Sequence, residues 1–236
     1  MPAPASTSSP EPLPIVAGVV LAAGEGSRFG RPKHAVELAG KKLVDLAVDV
    51  VRPACRDVVV VLPGGQEWDG APVSAVVAGG ASRTESLRNA MVAIAPDVAI
   101  IVTHDCVRPL ATTAQVEAAI EAVAAGADAA IPGWATPDPV KRVLPDGSIE
   151  HVGREGYLVV QSPSAYQRTT LQRVFDVLDE VPIDESVGVE MIGGRVVPIT
   201  GNRWSQHLVD EHDLEQFERL FKAPPGSTER LPDPRP

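Results

Sequence analysis

Residues 18–33, Gly-Val-Val-Leu-Ala-Ala-Gly-Glu-Gly-Ser-Arg-Phe-Gly-Arg-Pro-Lys, constrain the fold more than any other stretch. The first half is an apolar, β-branched run, which predicts a fully buried strand. The second half is a loop punctuated by Gly24, Gly26 and Gly30 and carrying Arg28 and Lys33. Such glycines permit positive φ and a close approach of backbone to ligand. Consecutive amides in such a turn make an anion-binding concavity, and Arg28 and Lys33 add positive charge where the phosphates of a nucleotide would lie. No Lys-Ser/Thr follows the glycines, which disfavours a P-loop, and Gly30 falls one residue late for G-x-G-x-x-G. Taken as a bare glycine loop, an ordinary strand-to-helix turn would read the same way.

The chain then alternates. Residues 41–51 carry apolar side chains at 43, 44, 47, 48 and 51, a helical face that Pro53 ends. Residues 57–62 predict a second buried strand before a Pro-Gly-Gly turn, and 74–78 a short strand. A second glycine loop, Gly79-Gly80-Ala81-Ser82-Arg83-Thr84-Glu85-Ser86, opens a helix to about residue 94. Residues 98–103 are a further buried strand, ending at His104-Asp105-Cys106-Val107-Arg108-Pro109. Thr112 or Thr113 caps the helix that runs to 124, and 128–132 adds another strand. This order predicts an α/β protein: a Rossmann-like, mostly parallel sheet with helices on both faces. Ligands on such sheets sit beyond the strands' carboxyl ends, where all three loops fall.

The rhythm breaks at 140–152, which reads as a β-hairpin around Asp146-Gly147. A two-stranded arm is not stable alone, so this protruding β-arm, about 134–160, is expected to pack on a second subunit. Helical spacing returns at 170–178, a strand at 196–199 and a last helix at 209–221. Residues 1–14 read as a disordered leader, 15–222 as a single domain and 223–236 as a disordered, proline-rich tail. The leader has no cation ahead of an apolar run, so it does not read as a signal peptide.

A net charge of −10 argues against nucleic acid or an anionic membrane as partner, so any phosphate site must be a local cationic pocket. Cys55 and Cys106 have no metal-ligand spacing and read as free thiols of a reducing compartment. No apolar run reaches membrane-spanning length. A soluble, cytoplasmic protein is expected.

Asp105 follows a buried strand at the binding edge. Its carboxylate either coordinates a divalent cation bridging phosphate oxygens or caps the next helix. Arg108 holds that carboxylate or a substrate phosphate through a bidentate contact, or else simply fixes its loop. Ser86, on the first turn after the second glycine loop with Arg83, either meets a nucleobase edge or satisfies local backbone. His207 is noted for its place near the carboxyl edge, where a lone histidine is more often structural. No Ser-His-Asp order or Gly-x-Ser-x-Gly elbow is present. A dehydrogenase would need an acidic residue about 20 residues past the glycines; Asp45 and Asp49 are near that distance but lie in a predicted helix.

Several motifs occur together in order. They are Ala22-Ala23-Gly24 to Lys33, Gly79-Gly80-x-x-Arg83-x-x-Ser86, His104-Asp105-x-x-Arg108-Pro109, Asp138-x-x-Lys141, Arg154 and Gln161-Ser162-Pro163. The set resembles the 2-C-methyl-D-erythritol 4-phosphate cytidylyltransferases and their pentitol-phosphate relatives, over about residues 15–220. The resemblance implies a nucleotidyltransferase fold and direct attack of an alcohol phosphate on the α-phosphorus of CTP. Arg28 and Lys33 would stabilise the pentacoordinate centre. Ala22, Ala23, Gly24, Glu25, Gly26 and Ser27 would hold the triphosphate, Gly80, Arg83 and Ser86 would serve the nucleotide, and Asp105 would touch ribose and Mg2+. Arg108, Lys141, Arg154 and His207 would face the phosphorylated alcohol, and the arm would join a homodimer.

The chain also departs from the family pattern on the acceptor side. Pro139 follows Asp138 where a threonine is usual, and Ile183 precedes Asp184 where Thr-Asp is usual. His207 stands where a lysine is expected. These departures leave room for another alcohol phosphate or phosphonate, such as ribitol 5-phosphate, or for a paralogue that binds nucleotide with little turnover.

Overall fold

The computed structural model describes residues 13–24, 29 and 32–222. Most of the expected leader (1–12), the tail (223–236), and Glu25, Gly26, Ser27 and Arg28 of the first loop lie outside the described residues.

In chain order the elements are β1 (Val16–Leu21), the short strands β2 (Glu37–Leu38) and β3 (Lys41–Lys42), α1 (Leu43–Val51), β4 (Asp57–Leu62) and β5 (Ala75–Ala78). Then come α2 (Arg83–Val92), β6 (Ile100–Asp105), α3 (Thr113–Ala124), β7 (Ala129–Ala135), β8 (Lys141–Val143) and β9 (Ile149–His151). The chain closes with β10 (Leu158–Val160), β11 (Ser164–Gln167), α4 (Arg168–Val177), α5 (Glu185–Met191), β12 (Val196–Thr200) and α6 (Glu211–Lys222).

Eight strands form one sheet in the order β10-β7-β11-β6-β1-β4-β5, with β12 also paired to β7. The β1, β4, β5 and β6 pairings are parallel, as is β12 on β7. Only β10 and β11 run against their neighbours. The predicted mostly parallel α/β sheet is therefore correct.

Because strand side chains alternate between faces, β1 and β4 feed two cores. Val16, Val20, Val58, Val60 and Leu62 join α1 and α3 on one face. Ala17, Val19, Val59 and Val61 join α2, α4 and α5 on the other. Each such valine or leucine stabilises the fold by about 1.5–3 kcal/mol through burial. A third cluster, including Phe29, Val36, Leu38, Leu43, Leu110, Leu208, Leu214 and Phe217, seats α6 against the turn after the first loop. That cluster brings the C-terminal segment over the carboxyl edge of the sheet.

Three elements escape the periodicity. β10 and β11 occupy one antiparallel lane along β7, interrupted by a bulge: Val160 pairs with Gly133, but Ala165 pairs with Ala130. Pro163 inside that stretch hides the strand signal. α5 has seven residues, too short for helical spacing to declare itself. The last helix starts at Glu211, not 209, because Asp210 Oδ1 accepts from the amides of His212 and Asp213 and so terminates it as a cap. Thr112 is the cap of α3, within a capping box with Gln115. The arm forms as expected, with Lys141 opposite His151. Its loop is a turn over 144–147 in which the Gly147 amide donates to Leu144 O and Gly147 takes φ +81°. This is a three-residue hairpin connection closed by a left-handed glycine.

Candidate active site

β1, β4, β5 and β6 end together, and their exit loops enclose a cleft of about 670 Å³. It is lined by Ala22–Gly24 from the first loop, Gly79–Arg83 and Ser86 from the second, and Asp105–Val107 from the third, with Lys33 and His207 at its rim. A cleft of this size matches a nucleotide-scale ligand.

The first loop leaves β1 with the Ala22 amide still donating to Val61 O at 2.9 Å. Pro32, at φ −59°, starts a short 3-10 turn over Lys33–Ala35. That turn presents Lys33, whose Nζ donates to Leu208 O at 2.8 Å and lies 5.9 Å from the Phe29 ring centre. Arg28, the second cation expected here, lies outside the described residues.

The second loop is built so that backbone can pass close to the first. A Cβ at Gly79 would fall 2.3 Å from Ala23 Cβ, inside any real carbon contact. Ser82 caps α2, accepting from the Glu85 amide at 3.1 Å, while Glu85 Oε2 accepts from the Ala81 amide at 2.7 Å. Ser86 Oγ donates to Ser82 O at 2.8 Å and accepts from the Gly80 amide at 3.0 Å. Those contacts are local, the structural alternative weighed for this residue, and they hold the turn in which Gly80 sits.

Asp105 ends β6 in register with Leu21, two residues beyond the expected strand end at 103. It does not cap α3. Its Oδ1 accepts from Arg83 Nη1 at 2.5 Å. Burial pushes the Asp105 carboxyl up, but the Arg83 guanidinium more than offsets this and holds it below its ordinary range. The Asp105 amide donates to Ser162 Oγ at 3.1 Å, and His104 Nδ1 contacts the same hydroxyl at 3.1 Å. The Gln161-Ser162-Pro163 motif thus buttresses the strand end from the neighbouring lane.

It is Arg83, not Arg108, that holds Asp105. Arg108 donates instead to Ser205 O at 2.7 Å and Val160 O at 3.1 Å, tying the C-terminal segment to β10. Its loop-fixing alternative is the one these bonds describe. Together with Lys33 on Leu208 O, and the Leu208 amide on Val107 O at 2.8 Å, Arg108 pins residues 205–208 against the cleft. His207 faces the cleft for that reason. Burial lowers its pKa, and Arg108, Lys33 and Arg83 lower it further while Asp105 raises it.

Lys141 and Arg154 are not brought to this cleft. Lys141 is exposed on β8, and Arg154 Nη1 donates to Pro137 O at 2.9 Å at the base of the arm.

One residue escaped the sequence reading. Glu185, first in α5 and 2% exposed, accepts from Arg83 Nε at 2.9 Å and Nη2 at 3.1 Å. The signal that could have found it is Asp184, a good helix cap that places the next carboxylate at the helix start. Burial pushes the Glu185 carboxyl up, and Arg83 only partly reverses this.

Among the described residues, no group of three or more His, Cys, Asp or Glu side chains is placed to hold a metal. A cation carried in on phosphate oxygens needs only one or two protein carboxylates, and Asp105 fits that requirement.

A parallel-sheet edge with two close-packed glycine loops, a lysine at the rim and an ionised aspartate facing it defines a nucleotide-handling α/β protein of the nucleotidyltransferase type. Residues 16–222 match the family model described as 2-C-methyl-D-erythritol 4-phosphate cytidylyltransferase. A protein of that name from Frankia casuarinae is 32% identical over 228 residues, 90% of this chain and 83% of that one. One from Streptomyces avermitilis is 34% identical over 227 residues, 87% and 91% of the two chains. The crystal structure of the protein of that name from Thermus thermophilus has the same fold, with a TM-score of 0.76 at 24% identity, covering 89% of this chain and all of that chain (100%). The chain belongs to the 2-C-methyl-D-erythritol 4-phosphate cytidylyltransferase family, and so to the CTP-dependent nucleotidyltransferases.

Proposed function

We propose that the chain transfers the cytidylyl group of CTP to 2-C-methyl-D-erythritol 4-phosphate and releases pyrophosphate, a step of isoprenoid precursor synthesis. The observation that carries this reading is the single cleft uniting Ala22–Gly24, Lys33, the Gly79–Gly80 loop and Asp105.

An acceptor phosphate oxygen attacks the α-phosphorus in line; a new P–O bond forms as the bond to the β-phosphate oxygen breaks, and pyrophosphate leaves with the electron pair. No covalent enzyme intermediate is needed, so the protein contributes position and charge. Ala22–Gly24 and the rest of the first loop cradle the triphosphate. Lys33, with Arg28, offsets the charge that grows on the phosphoryl oxygens, an interaction of about 2.7–4 kcal/mol for one well-placed donor. Asp105 would hold a Mg2+ arriving with CTP, which supplies further neutralisation of phosphate charge. The second glycine loop and Ser86 shape the base pocket.

The arm makes a homodimer the second part of the proposal. Val143, Ile149, Tyr157, Leu158 and Val159 are exposed along it, at 72%, 64%, 44%, 42% and 51%. An arm with so much apolar surface needs a partner to cover it. Lys141 and Arg154, remote from their own cleft, would then serve the partner's acceptor site.

A different acceptor is the second reading, and it is favoured by Ile183. This β-branched residue is 86% exposed at φ +69° and stands where the family pattern has threonine. A screen of CTP and other nucleoside triphosphates against methylerythritol, ribitol and erythritol phosphates, read as pyrophosphate release, tests both. Turnover with CTP and methylerythritol phosphate is the expected outcome; turnover only with another polyol phosphate would select the second reading. CTP binding with no turnover would mark a non-catalytic paralogue.

A further inference from the structure

We infer that Glu185 is a positioning residue: by gripping the Nε–Nη2 edge of the Arg83 guanidinium, it fixes the plane in an orientation where Nη1 alone meets Asp105, at one oxygen, and so keeps the second Asp105 oxygen available to the cleft. This deepens the nucleotide-binding role proposed for Asp105 and rests on that reading.

The geometry is specific. A guanidinium offers five donors in a rigid plane and, left alone with a carboxylate, pairs with both of its oxygens. Here Glu185 takes Nε and Nη2, at 2.9 and 3.1 Å, so the plane is already committed along that edge. Only Nη1 reaches Asp105, and it meets Oδ1. Two carboxylates therefore share one cation, and the excess negative charge sits at the cleft wall. Glu185 is itself buried, at 2% exposure.

The supporting frame is equally defined. Ser82 Oγ donates to Glu180 Oε1 at 2.8 Å, and the Val181 amide donates to Thr84 Oγ1 at 3.0 Å. Arg88 Nη2 donates to the carbonyls of Phe175 and Leu178, each at 2.7 Å. The first two turns of α2 are thus stapled to the segment leading into α5, which fixes Glu185 against Arg83 independently of their own ion pair.

Glu185→Gln retains the volume and removes the charge. The guanidinium, no longer held along its Nε–Nη2 edge by a carboxylate, can then turn to pair with both Asp105 oxygens, and its charge is no longer shared. The test is calorimetric titration of the full chain with CTP, once with Mg2+ and once with EDTA, for wild type, Glu185→Gln, Asp105→Asn and the double variant. The expected result is a loss of about tenfold or more in CTP affinity with Mg2+, the size typical of removing a residue that orients a ligand-holding side chain. Affinity in EDTA should not fall. In the Asp105→Asn background, Glu185→Gln should have no further effect, as residues acting through one another are not additive.

Equal losses with and without Mg2+, additive losses in the double variant, or no loss would each overturn the inference. Should Glu185→Gln fail to fold, Glu185→Asp supplies the same comparison. It keeps the charge but is one methylene too short for the bidentate grip on Arg83, and it should show the same Mg2+-selective loss; an unselective loss or none would overturn the inference. A wild-type chain that does not bind CTP at all would overturn the nucleotide reading itself, a result distinct from unchanged binding in Glu185→Gln.

Discussion

At the scale of single residues, the cleft is made by side chains with divided duties. Lys33 reaches in from a proline-started turn while its Nζ also donates to Leu208 O, which directs the ammonium. An ammonium carries three donors, so anchoring and phosphate contact are compatible in one group. Lys33→Ala should cost at least about 100-fold in pyrophosphate release from CTP and acceptor; a loss below about tenfold would take Lys33 out of the chemistry. His207 differs. Its folded pKa lies below the ordinary histidine value, chiefly through burial, so the ring is uncharged at pH 7 and above and becomes a cation only as pH falls through that lowered value. Turnover between pH 7 and 8 should therefore have the same profile in wild type and His207→Asn. A wild-type rate that rises toward pH 7, with the rise lost in the variant, would show that His207 acts as a cation.

At the scale of elements, the glycine loops were legible because glycine and the residues flanking it declare a turn by composition alone. The strand ends were legible because buried parallel strands are continuous apolar runs. β10, β11 and α5 were not, since a proline-interrupted lane and a seven-residue helix are held by their neighbours, not by their own pattern. Asp128 illustrates such holding. Its Oδ1 accepts from Thr170 Oγ1 at 2.7 Å and its Oδ2 from the Arg195 amide at 2.8 Å, joining the starts of β7, α4 and β12. These bonds, the Arg195 amide foremost, keep the Asp128 carboxyl below its ordinary range. The stability they contribute is present above the unfolded value of about 3.9 and is lost as pH falls through the depressed folded value. Asp128→Asn should cost about 1–2 kcal/mol near pH 7, where partial exposure screens the charge. Denaturant melts of the pair should draw together as pH falls below the unfolded value of about 3.9 and through the depressed folded one; a difference that stays constant as the pH falls would reject the carboxylate as the cause.

At the scale of the whole molecule, an acidic chain of net charge −10 concentrates cations where three loops meet. Lys33 and Arg83 line the cleft, and Arg108 fixes the segment that closes one side of it. No helix among the described residues is long and apolar enough to cross a membrane. The exposed apolar arm is the molecule's other large-scale feature. Sedimentation should give a dimer for the full chain and a monomer after deletion of residues 140–152. A monomer in both cases would remove the arm from assembly, and a dimer in both would move the interface elsewhere.

The alternation of β1, β4, β5 and β6 with α1 to α3, the two glycine loops, and the gathering of Lys33, Gly80, Arg83 and Asp105 at one edge follow from the sequence by itself. Local apolar runs and turn residues specify where chain segments begin and end, and a parallel sheet then sends all its strand exits to one side. Only the tertiary structure decided which cation serves which carboxylate. Arg108, three residues on, is the partner the chain suggests for Asp105, but its donors are claimed by the carbonyls of Ser205 and Val160, and the cation that serves Asp105 is Arg83, itself held by Glu185 102 residues away. Such pairings depend on distances across the fold, and no spacing within a segment encodes them.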